Sequence, residues 1–554
     1  MFYPSLESLH ADLPTVITTI IYPGPLLAKF SDAWLAYVAY QGYRSEVVHN
    51  LHRQYGLFTL GSVHSRQWLI VIPQGPFVRL APNHISVALS DALPVVYGHG
   101  HGTLKSSFYD VFASTSPGLF DTRDRKTHTR KRKIISHTFS QKSVLEFEPH
   151  VRSYVSQLLG HWDKLYDKSL KGMSGKEGNG WTGRNGRLWL DCFPWANYLT
   201  FDIIADLAFG APFGMIMAGK DSALVPKDQH TAMDSYGKVG TNYATKEVAV
   251  IKTVGGASET FPVTMGAVPG WWRTLLGRSP FLREGGEDFK AIAGLAIVAV
   301  SKRLEVPTDK NDLLNKLQAA RDEDGNPMCK EELTAEAVTL LAAGGDTTAK
   351  QVLFFSMSTV HKLNYLLSTT SAIIYYLARS QSVQEKLQKE LDEHLDSDVA
   401  TVEQVKGHSY LQAVINEGLR VYSTLAMGLP REAPEGGIMI LGNYFPGGTI
   451  ISVPTYTINR DPTVFGDDVE EFRPERWLEP GSAAMLKVFS PFSVGPRGCI
   501  GRNLANMELQ LIIGSILRHF HFVLENPDEI FEVHEGFVRK PVTCRVGMRR
   551  REVL

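Results

Sequence analysis

Cysteine is scarce: four occur among 554 residues, at positions 192, 329, 499 and 544, and no two form a CxxC pair. Neither a zinc cluster nor a disulfide framework is suggested, and a reducing compartment with a thiol free for chemistry fits best. An excess of one charge sign is also missing. The 57 Lys and Arg residues meet 58 Asp and Glu, a net charge of −1, so global electrostatics does not support a nucleic-acid or anionic-lipid partner. No short-period repeat appears. The most linker-like stretch, Gly172–Gly186, reads as a glycine-rich surface loop between helices. Leu13–Leu27 is moderately apolar but is broken by Tyr22-Pro23-Gly24-Pro25 and is too short to span a bilayer. It also lacks the basic leader of a signal peptide. No dinucleotide-binding fingerprint is evident, nor a spare domain for flavins.

What is present is ordinary globular composition, 44% hydrophobic and 21% charged. Apolar residues at helical spacing predict helices over Ser143–Leu165, Trp195–Phe209, Glu287–Leu304, Thr334–Leu341 and beyond, Ser371–Leu395, Gln404–Arg420 and Arg502–Phe520. Strand-like runs are few: Phe77–Leu80, Ile438–Leu441, Gly448–Val453 and Val542–Met548. The expectation is a mainly α protein with small β-sheets whose strands, at the front and back of the chain, pair across it.

The strongest chemical signal is Pro491–Leu509, PFSVGPRGCIGRNLANMEL. Gly495, Gly498 and Gly501 surround Cys499, and a helix begins just after. Glycines permit tight turns and close approach of the backbone to a flat group. Backbone N–H groups and a helix N-terminus favour a negative sulfur, and Arg497 can pair with an anion. A thiolate so held suits a single axial ligand of haem iron. A cysteine beside a glycine-rich turn is most often inert. Here Phe492, Gly495, Arg497, Cys499 and Gly501 stand together in one F-x-x-G-x-R-x-C-x-G arrangement.

That stretch resembles the haem-binding signature of the cytochrome P-450 haem-thiolate monooxygenases, and other marks of the family follow. INEGLR places Glu417 and Arg420 at i, i+3, by itself a commonplace surface pair. With Arg476 of EFRPERW, the resemblance implies a buried triad bracing the haem-ligand loop. AGGDTT, Ala343–Thr348, puts two glycines, which weaken a helix, beside a Thr that can bond back to a carbonyl. In the family this is an oxygen groove, with Asp346 and Thr347 as the acid–alcohol pair that manages protons. His128 and Arg132, within the basic run Arg123–Ser140, match a motif that grips a haem propionate. Other basic residues of that run are candidates for the face that meets an electron donor. Arg431 stands in or near another propionate-contacting position, in the turn Ser423–Glu432 that lines the substrate pocket. Cofactor-binding candidates are thus Cys499, Arg497, Phe492, His128, Arg132 and Arg431, with Cys499 as the iron ligand.

Five stretches, among them VYGHGHGTLKSSFYDVF, FDIIADLAFGAPFGM and EGFVRKP, are similar to the fungal benzoate para-hydroxylases, over roughly residues 76–349 and 368–550. The implied reaction is para-hydroxylation of a small aromatic acid, most simply benzoate to 4-hydroxybenzoate, using dioxygen and electrons from a separate NADPH-dependent reductase. A flat anion needs an apolar slot with a few polar anchors; Lys105, Ser106, Tyr109 and Thr424 are candidates. The alternatives are a monooxygenase of another phenolic or secondary metabolite, or a haem-binding chain without turnover.

The last alternative arises from two departures. Removing residues 350–367 joins GGDTTA to STTSAIIYYLARS and restores the family's rhythm. Residues 57–75 interrupt the passage from HRQYG to PFVRLAP in the same way. Both read as inserts foreign to the family, each the size of a short intron, within a haem-thiolate monooxygenase domain spanning residues 51–554. Residues 1–50 read as an N-terminal segment. Its Pro23-Gly24-Pro25 resembles the hinge that follows a membrane anchor in such proteins, so association with the cytosolic face of the endoplasmic reticulum is expected.

Overall fold

The computed structural model describes residues 21–56, 75–113, 117–226, 245–251, 260–277, 312–322, 324–329, 331–337 and 369–552, with isolated positions 279, 300, 303, 339 and 340. The two suspected inserts (apart from Gly75), Asp346, Thr347 and nearly all of the expected helix Glu287–Leu304 lie outside the described residues.

The molecule is mainly helical, with small sheets. The principal helices are α1 (Ala33–Gln41), α2 (Arg44–Gly56), α3 (Arg125–Ser136), α4 (Glu148–Leu170), α5 (Cys192–Phe209), α6 (Thr260–Ala267), α7 (Gly270–Leu276), α8 (Thr369–Arg379), α9 (Gln381–His394), α10 (Ser409–Tyr422) and α11 (Arg502–His519). Their patterning explains their positions. Every residue of α5 is buried, as expected of a helix apolar on all sides. The amphipathic α10 buries Leu411, Val414, Ile415, Leu419 and, on the same inward face, Glu417 and Arg420. The main core joins α4, α5, α8, α9 and α11 around Trp162 and Trp195.

One five-stranded sheet combines β1 (Phe77–Ala81), β2 (His84–Val87), β3 (Leu104–Lys105), β7 (Arg431–Glu432) and β8 (Ile450–Ser452), in the order β1-β2-β8-β7-β3. β2 and β8 run parallel, with Ile451 opposite Ile85. A second sheet has the order β9-β12-β6-β5-β4, formed by β4 (Ser174–Gly175), β5 (Trp181–Arg184), β6 (Arg187–Asp191), β9 (Phe520–Leu524) and β12 (Arg545–Arg550). A hairpin of β10 (Val533–Glu535) and β11 (Arg539–Pro541) precedes β12. Front and back of the chain do pair across it.

Three local expectations need correction. Gly172–Gly186 is not a plain loop: it carries β4 and β5, and the Asn185-Gly186 turn, both residues at positive φ, returns the chain into β6. An Asn-Gly pair suits a two-residue hairpin turn, and Trp181, Leu188 and Leu190 bury the result. Ser371–Leu395 is two helices, parted at Ser380. Gln384 of α9 donates to Phe522 O at 2.9 Å and accepts from Phe522 N at 2.8 Å, binding the edge of β9 as a strand partner does. Gln404–Arg420 breaks before Ser409 because Gly407 adopts φ +88°. α2 runs through residue 50, and its Ser45 bonds Glu535 near the other end of the chain.

Candidate active site

Cys499 lies between a turn of 3-10 helix, Gly495–Arg497, and the start of α11. Its N–H donates to Phe492 O at 2.8 Å, and Gly498 N–H to Gly495 O at 3.0 Å, so the loop is folded on itself. Gly495 has φ +72°, and a Cβ there would come within 2.0 Å of the Tyr97 carbonyl oxygen, so only glycine fits. The Cys499 side chain is exposed, yet its surroundings are those of an interior group. Burial raises its thiol, opposed by the Gly501 amide, the Arg132 and Arg502 charges and the Arg502 amide. Two N–H groups and two cations thus offset part of the burial that holds the thiol above its ordinary value.

Arg132 reaches the same loop from α3, its Nη1 donating to Gly498 O at 2.8 Å. Arg497 extends the other way, donating to Thr122 O at 2.5 Å and Arg123 O at 2.9 Å. These bonds clamp the cysteine loop to the entry of α3. His128, one turn before Arg132, is driven down to about 3 by burial and by Arg497, Lys105, Arg132 and Arg431. It is therefore a neutral hydrogen-bonding group. Arg431 donates to Tyr109 Oη at 2.7 Å and lies over the Tyr97 ring.

Lys105 and Tyr109, proposed from the sequence as substrate anchors, stand in this same cluster. Lys105 Nζ bonds Phe120 O and lies over the Tyr109 and Phe120 rings. Burial lowers it well below the ordinary lysine value, as do Arg431 and Arg497, while Asp121 opposes them. Ser106 caps the 3-10 turn Ser107–Phe112. Thr424 Oγ1 lies 2.7 Å from Thr369 Oγ1. Tyr109 packs edge-on to Phe108 and Phe120, which together with Phe112 and Phe537 of the β10–β11 tip form an aromatic cluster.

Glu417, Arg420 and Arg476 come together as a buried unit. Arg420 Nε and Nη2 donate to the two Glu417 oxygens at 2.9 and 2.8 Å, and Arg476 Nε donates to Oε1 at 3.0 Å. Sequence reasoning missed three further members. Trp477 Nε1 donates to Glu417 Oε2 and Arg473 N to Oε1, both at 2.9 Å, while Asp468 accepts from Arg476 at 2.8 Å. Trp477 was visible as the last letter of EFRPERW.

The donor set fits haem. The Cys499 sulfur has two amides and two arginines beside it, glycines permit close approach of a flat ring, and Arg132, Arg431, Arg497 and the buried Lys105 gather beside a neutral imidazole. Such an excess of positive charge suits the acidic edge of a porphyrin.

The cytochrome P450 family model matches residues 366–548. The chain is 40% identical over 542 residues to the benzoate 4-monooxygenase of Aspergillus niger, covering 96% of this chain and 92% of that one. It is 29% identical to the cytochrome P450 monooxygenase ORF11 of Penicillium roqueforti, over 92% and 90% of the two chains. The poxM monooxygenase of Penicillium oxalicum matches at 27%, over 90% and 83%. On this evidence the chain belongs to the cytochrome P450 family and is a monooxygenase.

Proposed function

We propose that this monooxygenase hydroxylates a small aromatic acid, benzoate at the para position, with electrons from a separate NADPH-dependent reductase. The observation that carries the substrate is the 40% identity, over 96% of the chain, to a benzoate 4-monooxygenase. The aromatic cluster of Phe108, Tyr109, Phe112, Phe120 and Phe537 is of the character a flat ring needs.

Haem, iron protoporphyrin IX, is the implied cofactor, and when bound it supplies the activation of dioxygen. Cys499 would hold the iron, Phe492 and Arg497 would shape its loop, and His128, Arg132, Arg431 and Lys105 would receive the propionates. Asp346 and Thr347 deliver protons. Glu417, Arg420 and Arg476 fix the scaffold beneath the ligand loop. Arg125, Lys126 and Lys133, exposed on α3, suit a docking face for an acidic electron donor.

The test is reconstitution with a fungal NADPH-dependent reductase and benzoate. The expected result is 4-hydroxybenzoate formed in step with NADPH consumption. Normal haem incorporation with turnover of other aromatics but not of benzoate replaces the substrate. Haem incorporation without any turnover selects the inactive reading, with residues 350–367 as the cause. Sequencing the mature message tests that cause, since a spliced transcript encoding both 57–75 and 350–367 makes them true protein segments.

Membrane association belongs to the same proposal. No helix among the described residues is long and apolar enough to cross a bilayer. The supporting feature is peripheral: α1 exposes Tyr37 and Tyr40, the preceding turn exposes Leu26, Leu27 and Phe30, and α7 exposes Trp271 at 73% and Leu275 at 69%. α1 also packs against α6, which leads directly into α7. Such a surface suits the interfacial zone of a lipid layer.

A further inference from the structure

Two thiols from distant parts of the chain meet in the interior. Cys192 opens α5 and Cys544 immediately precedes β12; both are free and buried. β12 pairs antiparallel with β6, and Arg545 stands opposite Asp191. One further step of that register sets Cys544 opposite Cys192, and the Cys192 N–H donates to Cys544 O at 3.0 Å. Opposed residues of such a ladder have Cα atoms about 4.5–5.5 Å apart, within the roughly 4.4–6.8 Å that a disulfide spans. The side chains touch as well, one thiol hydrogen-bonded to the other.

The surroundings hold this pair in place and keep it reduced at rest. Asp191 Oδ1 accepts from Cys544 N at 3.0 Å and from Phe193 N at 3.2 Å, so one carboxylate fixes the backbone beside both cysteines. The Cys544 thiol donates to Ser371 O of α8 at 3.4 Å. Three elements therefore converge on the pair: the start of α5, the start of β12 and the first turn of α8. Burial holds the Cys544 thiol well above its ordinary value, and Cys192 and Asp191 push it the same way. A thiol kept protonated is a slow nucleophile.

Buried as they are, the two sulfurs lie a short way from solvent. Cys544 follows the half-buried Thr543 and precedes the exposed Arg545. Fraying of the first residues of β12 uncovers the Cys544 sulfur while α5 and the main core stay closed, an opening of the kind that strand ends undergo at low free energy.

We propose that Cys192 and Cys544 form a reversible redox site, which a small two-electron oxidant, hydrogen peroxide, converts to a disulfide joining the start of β12 to the start of α5. One sulfur attacks the peroxide: an S–O bond forms, the O–O bond breaks, and the thiol proton leaves with the first water. The second sulfur then attacks the sulfenic sulfur: the S–S bond forms, the S–O bond breaks, and the second water leaves with the other thiol proton. Each sulfur gives up one electron, and the peroxide is reduced to water. A dithiol returns both thiols by exchange. In the oxidised form the Ser371 carbonyl loses its thiol donor, and the second sheet is tied covalently to α5.

The test exposes the haem-loaded protein to graded hydrogen peroxide, in buffer and in urea. Remaining thiols are then alkylated under denaturing conditions, and the peptides are mapped by mass spectrometry without reduction. The expected result in buffer is the loss of two alkylatable thiols per molecule. They reappear as one linked peptide pair carrying Cys192 and Cys544, two hydrogens lighter than the sum of its parts. Dithiothreitol restores both thiols, and C192S and C544S give no such pair. Oxidation confined to Cys329 and Cys499, a link from either buried cysteine to one of those two, or a Cys192–Cys544 link that forms only in urea overturns the proposal. If the serine variants do not fold, the wild-type map decides alone, because the linked peptides identify both partners.

Discussion

Glu417 grips Arg420 through two parallel bonds, 2.8 and 2.9 Å long, with both side chains wholly buried. Arg476, Trp477 and the Arg473 amide close on the same carboxylate. Removing the acid leaves two guanidiniums facing each other in the interior. E417Q is expected to destabilise the protein by about 3–5 kcal/mol, read by chemical denaturation, with a matching fall in haem retained on purification. A loss below about 1 kcal/mol contradicts the bracing role.

Replacing Cys499 by alanine removes the one sulfur at the mouth of α11 but no backbone bond of its loop. C499A is expected to melt near the cofactor-free wild type, to lack the absorbance of a thiolate-ligated haem under carbon monoxide, and to show no oxygen-dependent turnover. A thiolate spectrum in the variant rules out this ligand.

Glu508 sets a pH dependence. Burial alone raises its carboxyl from 4.5 to about 8. In that window the folded protein keeps a proton that the unfolded chain has released. The stability that Glu508 contributes is therefore full below 4.5, falls as pH climbs towards 8, and is gone above it. The full shift corresponds to at most about 5 kcal/mol. E508Q removes this slope, so denaturation at pH 5 and pH 8 is expected to show the variant gaining on wild type at the higher pH.

The apolar surface gives a prediction about membranes. W271S/L275S removes the two most exposed large side chains of α7. Flotation with neutral phosphatidylcholine vesicles is expected to carry wild type upward and to leave the variant largely behind, with solution turnover unaltered. Equal flotation of the two places any lipid contact elsewhere.

Legibility in the sequence followed the range of the interactions. The Cys499 loop and its glycines are local, and the ten-residue arrangement carried them intact. Glu417 and Arg420 were legible as a helical pair, but Asp468 and the Arg473 amide join them through chain folding that no spacing reveals. The Asn185-Gly186 turn was readable and was lost beneath the glycine content around it. The break at Ser380 was not: α8 and α9 continue one apolar rhythm, and only the bonds from Gln384 to β9 show why they part.

The parallel pairing of β2 with β8 has a cost during synthesis. His84–Val87 leaves the ribosome long before Ile450–Ser452 exists, an interval of some tens of seconds at ordinary elongation rates. Throughout it, the β1–β2 ribbon presents a bare hydrogen-bonding edge. The nascent amino-terminal third is thus a client for chaperones, and a message truncated before codon 450 yields a sticky fragment rather than a smaller working enzyme.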